Sequence, residues 1–111
     1  FINDAVVIGD RRRFVSALLV LDEDNVTHWA MERQLSYTTY SDLTRNEEVV
    51  ELIEEEVAKV NKTLARVESI RKFIILPKRL YHEDGEVTAT LKVKRSSIEQ
   101  QYANEIEELY A

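Results

Sequence analysis

Between Arg71 and Arg95 the chain gathers seven bases (Arg71, Lys72, Lys78, Arg79, Lys92, Lys94 and Arg95) against three acids (Glu83, Asp84 and Glu86). Cationic side chains concentrated in this way suit a small polyanion such as a nucleotide, and they equally suit an ordinary solvated edge. The spacing in the last part is more selective. Val87, Ala89, Leu91 and Val93 alternate there with Thr88, Thr90, Lys92 and Lys94. An extended backbone sends successive side chains to opposite faces, so four apolar groups turn to the core while two hydroxyls and two ammonium groups share the outer face. Taken alone, that outer face is a set of exposed strand residues.

Most other catalytic devices are excluded by what is missing. With two histidines and no cysteine there is no Ser-His-Asp or Cys-His arrangement and no thiolate metal site. His28 falls beside Trp29 in a helical segment, and His82 falls in the loop before Gly85; packing or surface roles account for both. No Gly-rich phosphate loop is present. Glu54, Glu55 and Glu56 could be paired carboxylates, but consecutive helical positions lie about 100° apart, so they read as a solvated face. Trp29, Tyr37 and Tyr40 could stack on a base, although core or rim packing explains them as well. Most of any active site must therefore lie outside these residues.

The elements that would position the basic segment follow from periodicity. Ala5–Ile8 and Phe14–Leu21 are apolar runs separated by the polar stretch from Gly9 to Arg13, which predicts two strands joined by a turn. The second run is apolar at both alternating positions and reads as a central strand covered on both faces by helices. Val26, Trp29, Ala30, Arg33 and Leu35 predict a short amphipathic helix, and 37–41 a loop. Thr44-Arg45-Asn46-Glu47 has the form of a capping box. The long helix after it carries Val49, Ile53, Val57, Val60, Leu64 and Val67 on one stripe, with Glu55 and Lys59 four apart in the favourable order.

Lys72–Leu76 reads as a third strand stopped by Pro77. Glu83-Asp84-Gly85-Glu86 reads as a turn. Ser96-Ser97-Ile98-Glu99 is a second capping box, opening a terminal helix with Ile98, Tyr102, Ile106, Leu109 and Tyr110 inward. The expected fold is α+β: a small central β-sheet packed by a long helix and a C-terminal helix.

At 111 residues the chain is expected to form one domain, 1–111, with a single core. A net charge of −6 argues against binding nucleic acid. Six acids and no base lie between Asn46 and Glu56, and four acids and no base follow Ser96, so the negative charge sits away from the basic segment. No apolar run reaches the ~20 residues of a transmembrane segment, and the first residues lack the basic-then-apolar pattern of a signal peptide. The absence of cysteine fits a reducing compartment, so a cytoplasmic location is expected, with peripheral attachment to a membrane compatible with it.

The stretch Glu83-Asp84-Gly85-Glu86-Val87-Thr88-Ala89-Thr90-Leu91-Lys92-Val93-Lys94-Arg95 resembles the C-terminal lysine motif of AMP-forming long-chain fatty acid–CoA ligases, the acyl-CoA synthetases of the adenylate-forming superfamily. Two further stretches, Asn3 to Leu21 and Leu64 to Pro77, are similar to segments of the same family in the same order. Ala89 stands where the family usually has Pro. The resemblance implies the C-terminal lid domain of such an enzyme, entered after the family's hinge, with the N-terminal adenylation domain as its partner. The reaction it implies uses ATP with Mg²⁺ and a fatty acid to make acyl-adenylate, then CoA to make the thioester, and no ligand is expected on this domain alone.

In that reading Lys92 is the catalytic lysine, Thr88 and Thr90 orient its loop, and Lys94 and Arg95 touch nucleotide or the large domain. Arg11, Arg12 and Arg13 could meet the CoA phosphates. Two alternatives remain at this point: a non-catalytic α+β module for nucleotide binding or dimerisation, and the lid of an adenylating enzyme with another carboxylate substrate.

Overall fold

A computed structural model describes residues 1–9, 12–65, 69–78, 80, 85–86, 88 and 93–110. They fall into two compact units, Phe1–Lys78 and Arg79–Ala111. The first holds β1 (Ile2–Ile8), β2 (Val15–Leu21), α1 (Glu23–Glu32), α2 (Tyr40–Thr44), α3 (Glu47–Asn61) and β3 (Ile70–Ile75); the second holds α4 (Arg95–Gln101) and α5 (Ala103–Leu109).

The three strands form one sheet in the order β1-β2-β3. β1 and β2 are an antiparallel pair in which Val6 faces Leu18 and Ile8 faces Ser16. β3 runs parallel to β2, Leu18 beside Ile74 and Leu19 beside Ile75. The ladder continues one step, with the Leu76 N–H donating to the Leu19 carbonyl at 2.8 Å, and Pro77, which has no N–H to donate, follows. As the doubly apolar run predicted, β2 is central and buried from Ser16 to Leu21.

On one face Ala17, Leu19 and Leu21 meet Val26 and Ala30 of α1, Leu43 of α2, and Val49, Ile53 and Val57 of α3 in a single apolar cluster. Fully burying an aliphatic side chain is favourable by roughly 1.5–3 kcal/mol relative to leaving it in water, so this cluster fixes the helices to the sheet. Val6, Ile8, Leu18, Val20 and Leu76 are buried as well.

The helix boundaries differ from the sequence reading in ways that have local causes. α1 begins three residues before Val26 because the Asp22 carboxylate accepts the Asn25 N–H at 3.1 Å and caps the first turn. It ends with Gln34 in the left-handed region, φ 57°. There the Leu35 N–H reaches the Ala30 carbonyl at 3.0 Å and the Gln34 N–H reaches Met31 at 3.1 Å, a Schellman ending that folds Leu35 back onto the core.

The expected loop 37–41 already contains the start of α2. Thr39 caps that helix by accepting the Asp42 N–H at 3.1 Å. Thr44 therefore does not cap α3. It closes α2, is 3% exposed, and donates its hydroxyl to the Ser41 carbonyl at 2.6 Å. The cap of α3 is Asn46, whose side chain accepts the Glu48 N–H at 2.8 Å.

α3 is also shorter than its apolar stripe. It stops at Asn61, so Val60 in the last turn is 48% exposed, Leu64 lies beyond the helix, and Val67 lies outside the described residues. The Asn61 amide explains the stop. It donates to the Ile70 carbonyl and accepts the Ile70 N–H, both at 2.9 Å. The end of the helix is thus tied to the first residue of β3 by the two bonds that a strand neighbour would make. Glu54 and Glu55 are exposed, as a solvated face requires. Lys59 pairs with Glu56 three residues before it at 3.4 Å, in place of the expected Glu55.

In the second unit, Ser96 and Ser97 lie inside α4 and do not cap it; the cap residue is Lys94, with no side-chain hydrogen bond to the helix end. The expected single terminal helix is two short ones, broken at Tyr102, where φ −107° and ψ 25° leave the helical region. Ile98, Tyr102, Ile106 and Leu109 are buried as expected, and Tyr110 is half-buried. Among the described residues no helix is long and apolar enough to cross a membrane.

Candidate functional site

Of the basic segment singled out in the sequence, Arg71, Lys72 and Lys78 belong to the first unit, and the part that carries the lysine motif, from Gly85 to Arg95, belongs to the second. It opens at Gly85, whose φ of +74° is a conformation that a side chain would disfavour. Next comes Glu86, fully buried at 0% exposure. At the other end the Lys94 N–H donates to the Glu86 carbonyl at 2.8 Å, and the Ile98 N–H donates to the Lys94 carbonyl at 3.1 Å. One residue, Lys94, therefore closes the segment against Glu86 and starts α4. Val93 beside it is half-buried in a β-bridge, while the Lys94 side chain is exposed, the alternation that an extended segment predicts.

Of the expected site residues, Thr88 is half-buried, and Lys94 and Arg95 are exposed. The Arg95 Nε donates to Glu99 Oε1 at 3.1 Å, one turn along α4. Such solvated pairs add little to stability, and this one directs the guanidinium along its own helix. Lys92 and Thr90 lie outside the described residues, as do Val87, Ala89 and Leu91. What is described is the pair of ends between which they run.

Glu86 was not legible as a special residue. A glutamate beside a turn glycine ordinarily reads as solvated. Its carboxylate Oε2 accepts no hydrogen bond, though the residue has further interactions.

The other candidates resolve into packing or surface roles. Trp29 is partly buried against the core, with the Phe1 ring edge-on at 6.4 Å and the Arg33 guanidinium 4.6 Å from its ring centre. Tyr40 also packs on the core and Tyr37 is exposed, so the three do not act as one open stacking platform. His28 is exposed, with Nε2 3.0 Å from Glu32 Oε1; His82 lies outside the described residues. Arg12 and Arg13 are exposed after β1, Arg11 lies outside the described residues, and Lys72 Nζ sits 5.5 Å over the Phe14 ring. Among the described residues no group of three His, Cys, Asp or Glu side chains could hold a metal ion.

Comparison with known proteins places this geometry. The family model of the AMP-binding enzyme C-terminal domain matches residues 1–111. A long-chain-fatty-acid–CoA ligase of Mycobacterium tuberculosis is 34% identical over 110 residues, covering 98% of this chain and 18% of that protein. A long-chain-fatty-acid–CoA ligase of Homo sapiens is 35% identical over 126 aligned residues, covering 98% of this chain and 17% of that protein. The chain thus spans less than a fifth of the length of these relatives.

Among solved structures, the adenylation domain of a carboxylate reductase from Mycobacterium chelonae superposes with a TM-score of 0.69 at 21% identity, over 98% of this chain and 15% of that one. A carboxylic acid reductase didomain from Segniliparus rugosus, in complex with AMP, gives 0.68 at 19% identity, over 98% of this chain and 14% of that one. These two show a shared α+β fold. The chain belongs to the AMP-binding enzyme C-terminal domain family.

Proposed function

We propose that this domain is the mobile lid of an AMP-forming long-chain fatty acid–CoA ligase and that Lys92 is its catalytic residue in acyl-adenylate formation. The observation that carries this reading is the likeness to long-chain-fatty-acid–CoA ligases, at 34% and 35% identity, through 98% of the chain. It is supported by the motif from Gly85 to Arg95 and by the backbone bond between Lys94 and Glu86, which brackets the part of that motif carrying Lys92.

In the first half-reaction a fatty-acid carboxylate oxygen attacks the α-phosphorus of ATP, the bond to the β-phosphate oxygen breaks, and pyrophosphate leaves. Negative charge gathers on the oxygens around phosphorus. The Lys92 ammonium, bridging the carboxylate and an α-phosphate oxygen, stabilises that charge most in the transition state, where it accelerates the step. A lysine suits a lid because its charge is compact and rides on a long stem, so it can withdraw with the domain. Thr88 and Thr90 orient the segment, and Lys94 and Arg95 meet nucleotide or the adenylation domain.

In the second half-reaction the CoA thiol attacks the acyl carbon and AMP departs, with no role for Lys92. Mg²⁺ would neutralise the ATP phosphates. The described residues of this chain form no cluster to hold it, and its ligands are assigned to the adenylation domain. The proposed enzyme works in the cytoplasm, attached peripherally to membrane where its fatty acids partition.

The test separates the two halves. In the full-length protein Lys92→Ala is expected to slow fatty-acid-dependent ATP–pyrophosphate exchange by about 10²-fold or more, as removal of one electrostatic donor does elsewhere. Thioester formation from supplied acyl-adenylate is expected to stay near the parent rate. Equal loss in both halves overturns the role assigned to Lys92.

A further inference from the structure

The charge of the first unit is sorted by position. The turn after β1 brings Arg12 and Arg13 to the start of β2, with the Arg12 N–H donating to the Gly9 carbonyl at 3.2 Å. β3 runs parallel to β2 from the same end, Ile70 opposite Val15 and Lys72 opposite Ser16, so Arg71 and Lys72 stand at the turn's end of the sheet. The end of α3 is brought there too, because the Asn61 amide makes two bonds of 2.9 Å to the Ile70 backbone. Lys59 and Lys62 flank Asn61. Three stretches distant in sequence thus set Arg12, Arg13, Lys59, Lys62, Arg71 and Lys72 at one end of the unit, and all of them are exposed.

The stretches that supply them, 10–13 and 59–72, hold eight bases against two acids in a chain whose net charge is −6. The acids lie elsewhere. Glu47 and Glu48, in the first turn of α3, are about 20 Å away along the helix axis, and Asp22, Glu23 and Asp24 follow the opposite end of β2. Lys59 pairs with Glu56 at 3.4 Å, Lys72 lies over the Phe14 ring, and Arg12 and Arg13 make further interactions of their own. The field at this end is a sum over all these bases and does not require any one of them to be unpaired.

The setting of the bases says what kind of anion fits. They are spread over a turn, a strand start and a helix end, all facing solvent, which suits a broad anionic surface better than one phosphate group. Apolar side chains stand among them: Val60 beside Lys59 and Val7 two residues before Gly9 are exposed, and Phe14 is half-buried with the Lys72 ammonium 5.5 Å from its ring centre. Cationic heads on long apolar stems, mixed with exposed apolar groups, match the headgroup region of a bilayer, where the charges meet lipid phosphates and the apolar parts meet the acyl boundary. We propose that this end of the first unit is the surface by which the protein docks on an anionic phospholipid membrane. The proposal rests on the peripheral attachment read above and is independent of the role of Lys92.

Sedimentation of the full-length protein with vesicles tests it, using phosphatidylcholine alone and phosphatidylcholine with about a third phosphatidylglycerol as the anionic lipid. The parent is expected to bind the anionic vesicles in preference to the neutral ones and to be released at about 1 M salt, where charges are screened beyond about 3 Å. Lys62→Gln, Arg71→Gln and Lys72→Gln combined are expected to weaken that binding by about fivefold per charge, about 10²-fold in all, with the melting temperature unchanged. Adding Glu47→Gln, Glu48→Gln and Glu51→Gln restores the net charge from the other end of α3 and is expected not to restore binding.

Binding of the triple variant at the parent level overturns the inference, and so does recovery through the remote glutamines, which would make net charge the determinant. A raised KM for CoA in the triple variant with vesicle binding unchanged assigns this end to a soluble polyphosphate, and the membrane role is lost. If the parent binds neither vesicle, peripheral attachment itself fails and this surface with it, while the role of Lys92, read by exchange, is untouched.

Discussion

Residues 1–78 and 79–111 form two units that use their sequence in different ways. In the first, β2 is buried from Ser16 to Leu21 and helices α1, α2 and α3 deliver Val26, Ala30, Leu43, Val49 and Ile53 to one cluster, all five at 0% exposure. In the second, α4 and α5 span seven residues each, and a backbone bond between Lys94 and Glu86 brackets the stretch to which the chemistry is assigned by proposal. The lesson is a division of labour. Redundant apolar packing makes the first unit tolerant in detail and costly to hollow out, while the second depends on a few defined points whose alteration should be read in rate more than in stability.

Substitutions on both sides can break that division. The largest expected effect is on the packed side. Ile53→Ala empties a fully buried site in the main cluster and is expected to lower stability by about 2–5 kcal/mol, read from the midpoint of urea unfolding. Lys92→Ala, with its loss of about 10²-fold in adenylation, corresponds to roughly 2.7 kcal/mol in the barrier and should leave the same unfolding midpoint unchanged. A fall in stability there comparable to that of Ile53→Ala would erase the contrast.

Asn61→Ala sharpens the picture within the first unit. It strips both hydrogen bonds from the part-buried Ile70 backbone and is expected to cost about 1–3 kcal/mol by the same measurement. Asn61→Asp keeps the acceptor, loses the donor and should fall between. The smallest effect has the opposite sign. Gln34 holds a φ of 57° without being glycine, so Gln34→Gly is expected to raise stability by about 1 kcal/mol or less, seen as a higher melting temperature.

The same contrast explains what could be read from the sequence. Strand β2 was legible because consecutive apolar residues from Phe14 to Leu21 leave no solvent face, and the core side of α3 because Val49, Ile53 and Val57 repeat every four residues. The helix starts were legible only in part. Thr44 and Glu47 match a capping box in spacing, but α2 and α3 are separated by only two residues, so Thr44 ends one helix and Asn46 starts the next. The break at Tyr102 was hidden because Ile98, Tyr102 and Ile106 stay four apart across it. No periodicity distinguishes Lys92 from an exposed strand lysine; only the motif around it did. Glu86 was missed outright, since a glutamate beside a turn glycine reads as solvated from its neighbours in sequence, and the residue is buried.

The paired bonds of Asn61 to Ile70 also free the connection between them from a duty. Because the amide already holds helix and strand ends together, the length of the connection from Asn61 to Ile70 becomes negotiable. Doubling such a connection adds roughly 0.6 kcal/mol of closure entropy, a burden the packed unit can absorb. An epitope or a fluorophore attachment sequence inserted there should leave the sheet and its helices undisturbed.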